Sequence, residues 1–473
     1  MSIRPMAIIG KWRGWLAAGM MLLGLLSPLS SFAAGQGNFL VVSDIHFDPL
    51  ADDSIAGKLA TARLDEWKKV FESSLSAGLG SYGQDPAYAL VASALDAMRA
   101  ASAKPDFIII PGDFLAHGLR EKFRASKTIT DRSDAAYLRF LEKTMGFMAR
   151  MFDERFLEAP IILTLGNNDN PRENYDVKPG EPFLALMAKA WQKSVARGGS
   201  AGSFESDFPA MGHYDKPHPT VKGGRFVVPN ANFMTYGHGK LYPAKKGGDR
   251  PGKDELAWLE KTLEMARKNG ERVWLVYHEP NGADERRSVA SGCAKGPVPI
   301  WQKKFDTAFI ALLKKYATTV EVIFAGHTHR DEFRLISDGG TPFAAIHVAP
   351  SVGPSSNSNP AFKLYTYQTV SGDILDSTTY VLANLETAKN AGEANWSREY
   401  DFAQAYGTPP TLAGFALVYA RLGSDPETRK TYRSFFGAGS AKNKFITDAT
   451  WEAFRCGIGH ADMDAYQACR CGR

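Results

Sequence analysis

Val320-Glu321-Val322-Ile323-Phe324-Ala325-Gly326-His327-Thr328-His329 is an apolar, β-branched run that ends in a glycine and two histidines. Such a run reads as a buried strand. Polar groups just past the C-terminal end of a strand in an α/β protein are where ligands and catalysts gather. The pattern occurs four more times. Residues 39–42 lead to Asp44-Ile45-His46, and residues 107–110 lead to Gly112-Asp113. Residues 161–165 lead to Gly166-Asn167, and residues 273–277 lead to His278. Five strand ends bearing Asp, His and Asn supply donors for two metal ions.

The donors divide into jobs. A two-metal hydrolase needs one carboxylate to bridge the ions, further N or O donors on each, and open positions for a bridging hydroxide and substrate oxygens. Asp113, behind the small Gly112, is the natural bridge. Asp44, His46 and His329 complete one set; Asn167, His278 and His327 complete the other. The donor types suit two divalent ions, with Zn²⁺ placed first and Mn²⁺ or Fe as alternatives. Each motif alone is weak evidence, and their conjunction carries the reading. Glu279 and Asn281, beside His278, are candidate substrate contacts, although Asn281 equally suits a turn cap.

Around these motifs the chain alternates strand-like and helix-like runs from residue 38 to about 385. Helical spacing covers residues 86–99, 135–151, 182–196, 255–268 and 301–316. This predicts an α/β catalytic domain over 38–385, with strands inside and helices outside. Strand-like runs at 343–348, 364–370 and 377–381 follow one another without helices, so part of the sheet is antiparallel or mixed. Residues 386–473 read as a helical, cysteine-containing subdomain, with helices expected at 395–405, 411–422, 425–436 and 444–456. The segment 237–253 reads as a Lys-rich loop that either attracts an anionic phosphate chain or is simply solvated.

Bulk properties set the class. A hydrophobic content of 44% and a charged content of 23% fit a folded globular protein. Residues 1–33 read as a secretory signal, with a basic start, an apolar stretch from Trp15 to Leu26 and Ser31-Phe32-Ala33 at the cleavage site. Arg4, Lys11 and Arg13 supply three of the formal +5 charges, so cleavage leaves +2. That is too small to argue for a nucleic-acid-binding module or membrane adsorption. No transmembrane anchor is expected after cleavage, and a secreted or periplasmic location follows. Cys293, Cys456, Cys469 and Cys471 fit an oxidising compartment. Three disulfide pairings remain open, with a zinc knuckle as the alternative. The oligomeric state is not legible.

The order Asp-x-His, Gly-Asp, Gly-Asn, His, Gly-His-x-His resembles that of the calcineurin-like metallophosphoesterases. Further stretches resemble the acid sphingomyelinase-like and endopolyphosphatase branch: Trp258 to Leu263, Phe324 to Phe333, Ala349 to Pro354, Asn359 to Tyr365, and the tail with Trp396, Tyr400 and the Cys456/Cys469 spacing. The resemblance implies an α/β fold, a metallophosphoesterase-type β-sandwich flanked by helices in four layers (αββα), with a C-terminal helical appendage. It supports the ligand roles above and implies a hydrolase of phosphate esters working by metal-bridged hydroxide attack.

One departure matters. Most of the family reads Gly-Asn-His, and that His is thought to protonate the leaving oxygen. This chain reads Gly166-Asn167-Asn168-Asp169. Asn168 is no proton donor of that kind, but its amide can hydrogen-bond a phosphoryl oxygen. His117, four residues past Asp113, matches a histidine of the sphingomyelinase-like branch proposed as a proton donor. Endopolyphosphatases resemble this chain in carrying Gly-Asn-Asn-Asp, and their leaving group needs little acid. The expected substrate is a small-molecule or polymeric phosphate ester. Without a saposin domain ahead of the first strand, soluble phosphodiesters, nucleotides or polyphosphate fit better than membrane sphingomyelin. The alternatives are an endopolyphosphatase-like or nucleotide phosphoanhydride hydrolase and, in another class, a low-turnover metal- or phosphate-binding protein.

Overall fold

Phe39 sits where two six-stranded sheets meet face to face. The computed structural model describes residues 35–74, 78–172 and 174–472, so the secretory-signal reading of 1–33 lies outside the described residues. The strands are β1 (Gln36–Val41), β2 (Phe107–Ile110), β3 (Ile161–Leu163), β4 (Tyr214–Pro217), β5 (Gly224–Val228), β6 (Arg272–Val276), β7 (Val320–Ala325), β8 (Glu332–Asp338), β9 (Thr341–Val348), β10 (Ala361–Gln368), β11 (Ile374–Leu382) and β12 (Trp396–Asp401). One sheet runs β12-β11-β10-β1-β2-β3 and the other β4-β5-β6-β7-β9-β8. β1, β2 and β3 are parallel, as are β5, β6, β7 and β9; the remaining neighbours pair antiparallel. Both sheets are therefore mixed, as the helix-free succession of late strands implied.

Aromatic rings bind the two sheets. Within its own sheet, Phe39 stacks on Phe107 at 4.6 Å and on Tyr365 at 5.0 Å. It meets Trp274 and Phe324 of the other sheet edge-on at 5.4 and 5.7 Å. All are buried. Offset and edge-to-face pairs of this kind add to ordinary apolar burial and favour particular orientations. Helices Tyr88–Ala101, Asp134–Arg155 and Pro182–Ala196 pack on the first core, while Arg250–Lys268 and Lys303–Lys315 cover the second. These are four layers, αββα. Helices Leu412–Ser424, Pro426–Phe435 and Trp451–Gly459 join β8 in a third cluster, with Phe415 stacked on Phe333 at 4.4 Å. Among the described residues, no helix is long and apolar enough to cross a membrane.

Three expectations are corrected. Residues 395–405 begin as strand β12, paired antiparallel to β11, and only Phe402–Tyr406 is helical. The free edge of β11 captures Trp396–Asp401, and the ladder outweighs the local helical spacing. The segment 237–253 is not a continuous loop: it contains helix Tyr236–Leu241, a turn at Ala244–Lys246 and the start of Arg250–Lys268. The zinc-knuckle alternative falls because Cys293–Cys471 and Cys456–Cys469 are disulfides and no described cysteine is free.

The two bridges span 178 and 13 residues. Loop-closure entropy assigns about 5 kcal/mol to the long loop and about 3 kcal/mol to the short one. Denaturant unfolding of the two double-alanine variants should show the larger loss for Cys293/Cys471. The reverse order would contradict this assignment.

Candidate metal centre

The parallel strands β1, β2 and β3 of one sheet and β6 and β7 of the other deliver their C-terminal ends to one edge of the sandwich. The chain must turn sharply there. Asp44, His46, Asp113, His327 and His329 all adopt positive φ, between 46° and 72°. Non-glycine residues in that region cost about 1–3 kcal/mol each and collect at functional sites. Two glycines show why nothing larger precedes the donors. A Cβ on Gly166 would lie 2.0 Å from Asp113 Oδ1, and one on Gly326 would lie 2.2 Å from Ser43 Oγ and 2.8 Å from Asp44 Oδ2.

The structure brings all seven expected ligands together. Asp113 Oδ2 lies 3.4 Å from His46 Nε2 and 3.3 Å from His278 Nε2. On one side, His329 Nε2 is 3.1 Å from His46 Nε2 and 3.2 Å from Asp44 Oδ1. On the other, Asn167 Oδ1 is 3.2 Å from His278 Nε2 and 2.9 Å from His327 Nδ1. Donors held ~2.0 Å from a tetrahedral ion lie roughly 3.3 Å apart, so the spacings fit two ions that share Asp113. The imidazoles are oriented for this. His46 Nδ1 faces the Leu115 carbonyl at 3.0 Å and His278 Nδ1 faces that of Pro111 at 2.6 Å, which turns each Nε2 lone pair inward.

Electrostatics agree. Burial works to raise Asp44, but His329 outweighs it and brings the carboxyl to about 2. Burial opposes ionisation of Asp113 too, yet His278 and His46 hold it well below the usual carboxylate range. Burial lowers His46 to about 4, aided by His117, and lowers His327 to about 3, aided by His278. Ionised Asp44 and Asp113 and neutral His46 and His327 are the protonation states metal ligation requires. His278, despite its burial, is raised well above the usual histidine value by Asp113, so the site draws positive charge to that point.

The other expected residues lie in different settings. Asn168 is buried; its backbone N–H and side-chain Nδ2 donate to Asp113 at 2.8 and 2.9 Å, so its amide braces the Asp113 carboxylate. His117 has a half-exposed side chain, and its ring stacks on that of His46 at 4.0 Å. Burial works to lower His117, and its hydrogen bond to Asp85 outweighs this and raises it. Glu279 is buried, neither of its carboxylate oxygens has a hydrogen-bond partner among the described residues, and burial pushes it up to about 8. Asn281 points into a buried network: it donates to Asp306 at 3.0 Å and accepts from Tyr277 at 3.3 Å. The Lys-rich segment exposes Lys245 and Lys246, while its Asp249 pairs with Lys253 and Lys304.

Two contributors escaped sequence reading. Asp169 accepts from the backbone N–H groups of Phe114, Leu115 and Gly166, at 2.8, 3.1 and 2.8 Å, and so ties the loops after β2 and β3 together. The Gly-Asn-Asn-Asp motif was its only signal. Tyr175 places its hydroxyl 3.3 Å from His327 Nε2; no motif marked it.

Gly166→Ala should lower metal affinity roughly tenfold to a hundredfold while the chain stays folded, since the added Cβ collides with Asp113. Metal analysis of dialysed protein beside circular dichroism checks this. Full occupancy in a folded variant would show that Asp113 is not held for the ions.

Residues 37–331 match the family model "Calcineurin-like phosphoesterase", and residues 341–471 match "Acid sphingomyelin phosphodiesterase C-terminal region". The chain is 26% identical over 474 residues to acid sphingomyelinase-like phosphodiesterase 3b of Homo sapiens, covering 95% of this chain and 94% of that one. It is 26% identical over 455 residues to cyclic GMP-AMP phosphodiesterase SMPDL3A of Homo sapiens, covering 92% and 90%. It is 25% identical over 474 residues to sphingomyelinase phosphodiesterase D of Dictyostelium discoideum, covering 95% and 98%. With its strand-end donors gathered at one edge of the sandwich, the chain belongs to the calcineurin-like phosphoesterase family and is a hydrolase acting on phosphate esters.

Proposed function

We propose that this chain is a secreted two-metal phosphodiesterase. The observation that carries the reading is Asp113 Oδ2, placed 3.3–3.4 Å from donor nitrogens of both ligand sets. Asp44, His46, Asp113 and His329 would hold one divalent ion, and Asp113, Asn167, His278 and His327 the other. Zn²⁺ suits these donors first, and Mn²⁺ or Fe also fit. When bound, such ions polarise phosphoryl oxygens and make water acidic enough to serve as a nucleophile near neutral pH. The protein's own part is to hold the donors apart at fixed spacing and to supply a proton. Asn168 steadies Asp113 through two hydrogen bonds. His117, half-exposed beside His46, protonates the departing oxygen as the phosphorus–oxygen bond breaks.

Relatives named for cyclic GMP-AMP and for sphingomyelin share a bond type, the phosphodiester. That bond is the proposed substrate class. Secretion rests on the signal-like residues 1–33 and on two disulfides, which persist in oxidising compartments. A second reading, hydrolysis of phosphoanhydrides, is favoured by Asn168 alone, because a phosphate leaving group needs little protonation.

Initial rates of the metal-reconstituted chain and of Asp113→Ala would be compared on an activated phosphodiester, a phosphomonoester, ATP and long-chain polyphosphate. Turnover that depends on Asp113 and is fastest on the diester is expected. Fastest turnover on polyphosphate or ATP would replace it with the anhydride reading. No turnover with two metals bound would make the protein a metal- or phosphate-binding one. His117→Ala should slow an alkyl diester roughly a hundredfold and a nitrophenyl diester far less. Equal losses would remove His117 from the proton-transfer role.

A further inference from the structure

Behind His117 lies a layer of charged side chains that metal ligation does not require. Asp85 sits 32 residues upstream, and its side chain is 5% exposed. Its Oδ2 accepts the backbone N–H of His117 at 2.7 Å, and its Oδ1 faces His117 Nδ1 at 2.8 Å. Lys122, on helix Leu119–Ala125, places Nζ 3.5 Å from Asp85 Oδ2 and 2.7 Å from Asp48 Oδ2. Asp48 is itself held, accepting the Leu50 N–H at 2.9 Å. One face of the His117 ring lies on His46, its Nδ1 edge lies on Asp85, and 48% of the side chain stays exposed. A ring nitrogen of His117 lies within 4.8 Å of the donor nitrogens of His46 and His329.

We propose that Asp85, backed by Lys122 and Asp48, is the positioning residue of the proton donor His117. This rests on the phosphoesterase reading above. An ionised carboxylate can only accept hydrogen bonds, so the ring nitrogen facing Asp85 must donate. That fixes the tautomer and stops the ring from turning over, and Nε2 is left pointing to the leaving-group side. Lys122 bridges two carboxylates and so keeps Asp85 both charged and still. In the step itself a water oxygen bonds to phosphorus and releases a proton to solvent, the bond from phosphorus to the leaving oxygen breaks with its electron pair, and His117, protonated on both ring nitrogens, gives its Nε2 proton to that oxygen and is left as the Nδ1–H tautomer. Solvent returns a proton to the half-exposed ring. A plain loop brace would account for the bond to the backbone N–H but not for the second one to Nδ1.

Asp85→Asn tests the idea because it keeps the volume and can still accept the backbone N–H, while it presents an N–H to the ring. The metal-loaded variant should lose roughly 30-fold or more in kcat on an alkyl diester and less than about threefold on a nitrophenyl diester, with KM and metal content kept. Combined with His117→Ala it should add little. A second measurement needs no metal and no turnover. The imidazole ¹⁵N resonance that disappears in metal-free His117→Ala should move from its Nδ1–H position in Asp85→Asn. Equal losses on both esters, additive losses with His117→Ala, or an unmoved resonance would overturn the proposal. If His117→Ala shows the leaving-group dependence and Asp85→Asn does not, only the positioning role fails. If neither shows it, the proton-donor assignment itself falls.

Discussion

Two buried carboxylates, Asp44 and Asp113, face four imidazoles across the seam between the sheets, and this charge cluster governs the rest. Burying ionised groups is costly unless opposite charge and directed hydrogen bonds meet them. Here the donors come from five strand ends on two separate sheets, so no single loop could set their spacing. The packing of one sheet on the other does so. Phe39, wedged against Trp274 and Phe324, is part of the bond that holds β1 in line with β6 and β7. A shift of that interface by a residue would separate Asp44 and His46 from His278 and His327 while leaving each motif intact.

The same constraint explains the strain at the site. Five donors sit in the left-handed backbone region because the chain must reverse within a few residues of each strand end. Small residues and backbone clamps make this tolerable. Gly166 lets Asp113 approach, and Asp169 fastens three backbone N–H groups of the two loops involved. The C-terminal helices work from the other side: they cover β8 through Phe333 and Phe415, and the Cys293–Cys471 bridge pins the tail to helix Glu285–Lys295.

Much of this was legible in the sequence, for a physical reason. A buried strand writes itself as an apolar run, and a donor at its end interrupts that run visibly. The order of Asp44, His46, Asp113, Asn167, His278, His327 and His329 could therefore be read without the fold. What could not be read depends on contacts between distant segments. Asp85 lies in a Gly- and Ser-rich stretch with no periodic signal, and only the fold brings it to His117. Asn168 reads as a phosphoryl contact because an amide stands where most of the family has a histidine; that its amide meets Asp113 depends on the fold. β4 has no apolar alternation in Tyr214-Asp215-Lys216-Pro217 and exists because β5 offers an edge. β12 was mistaken for helix for the same reason: the partner strand, not the local residues, decides it.

In the proposed enzyme one carboxylate, Asp113, serves two ions at once. Electron paramagnetic resonance of the Mn²⁺-loaded chain tests it most directly. Ions sharing a carboxylate roughly 3.5–4 Å apart are magnetically coupled. A broad coupled signal is expected at two Mn²⁺ per chain, giving way to the pattern of isolated ions in Asp113→Asn. Isolated-ion spectra from the unaltered chain at full loading would contradict it.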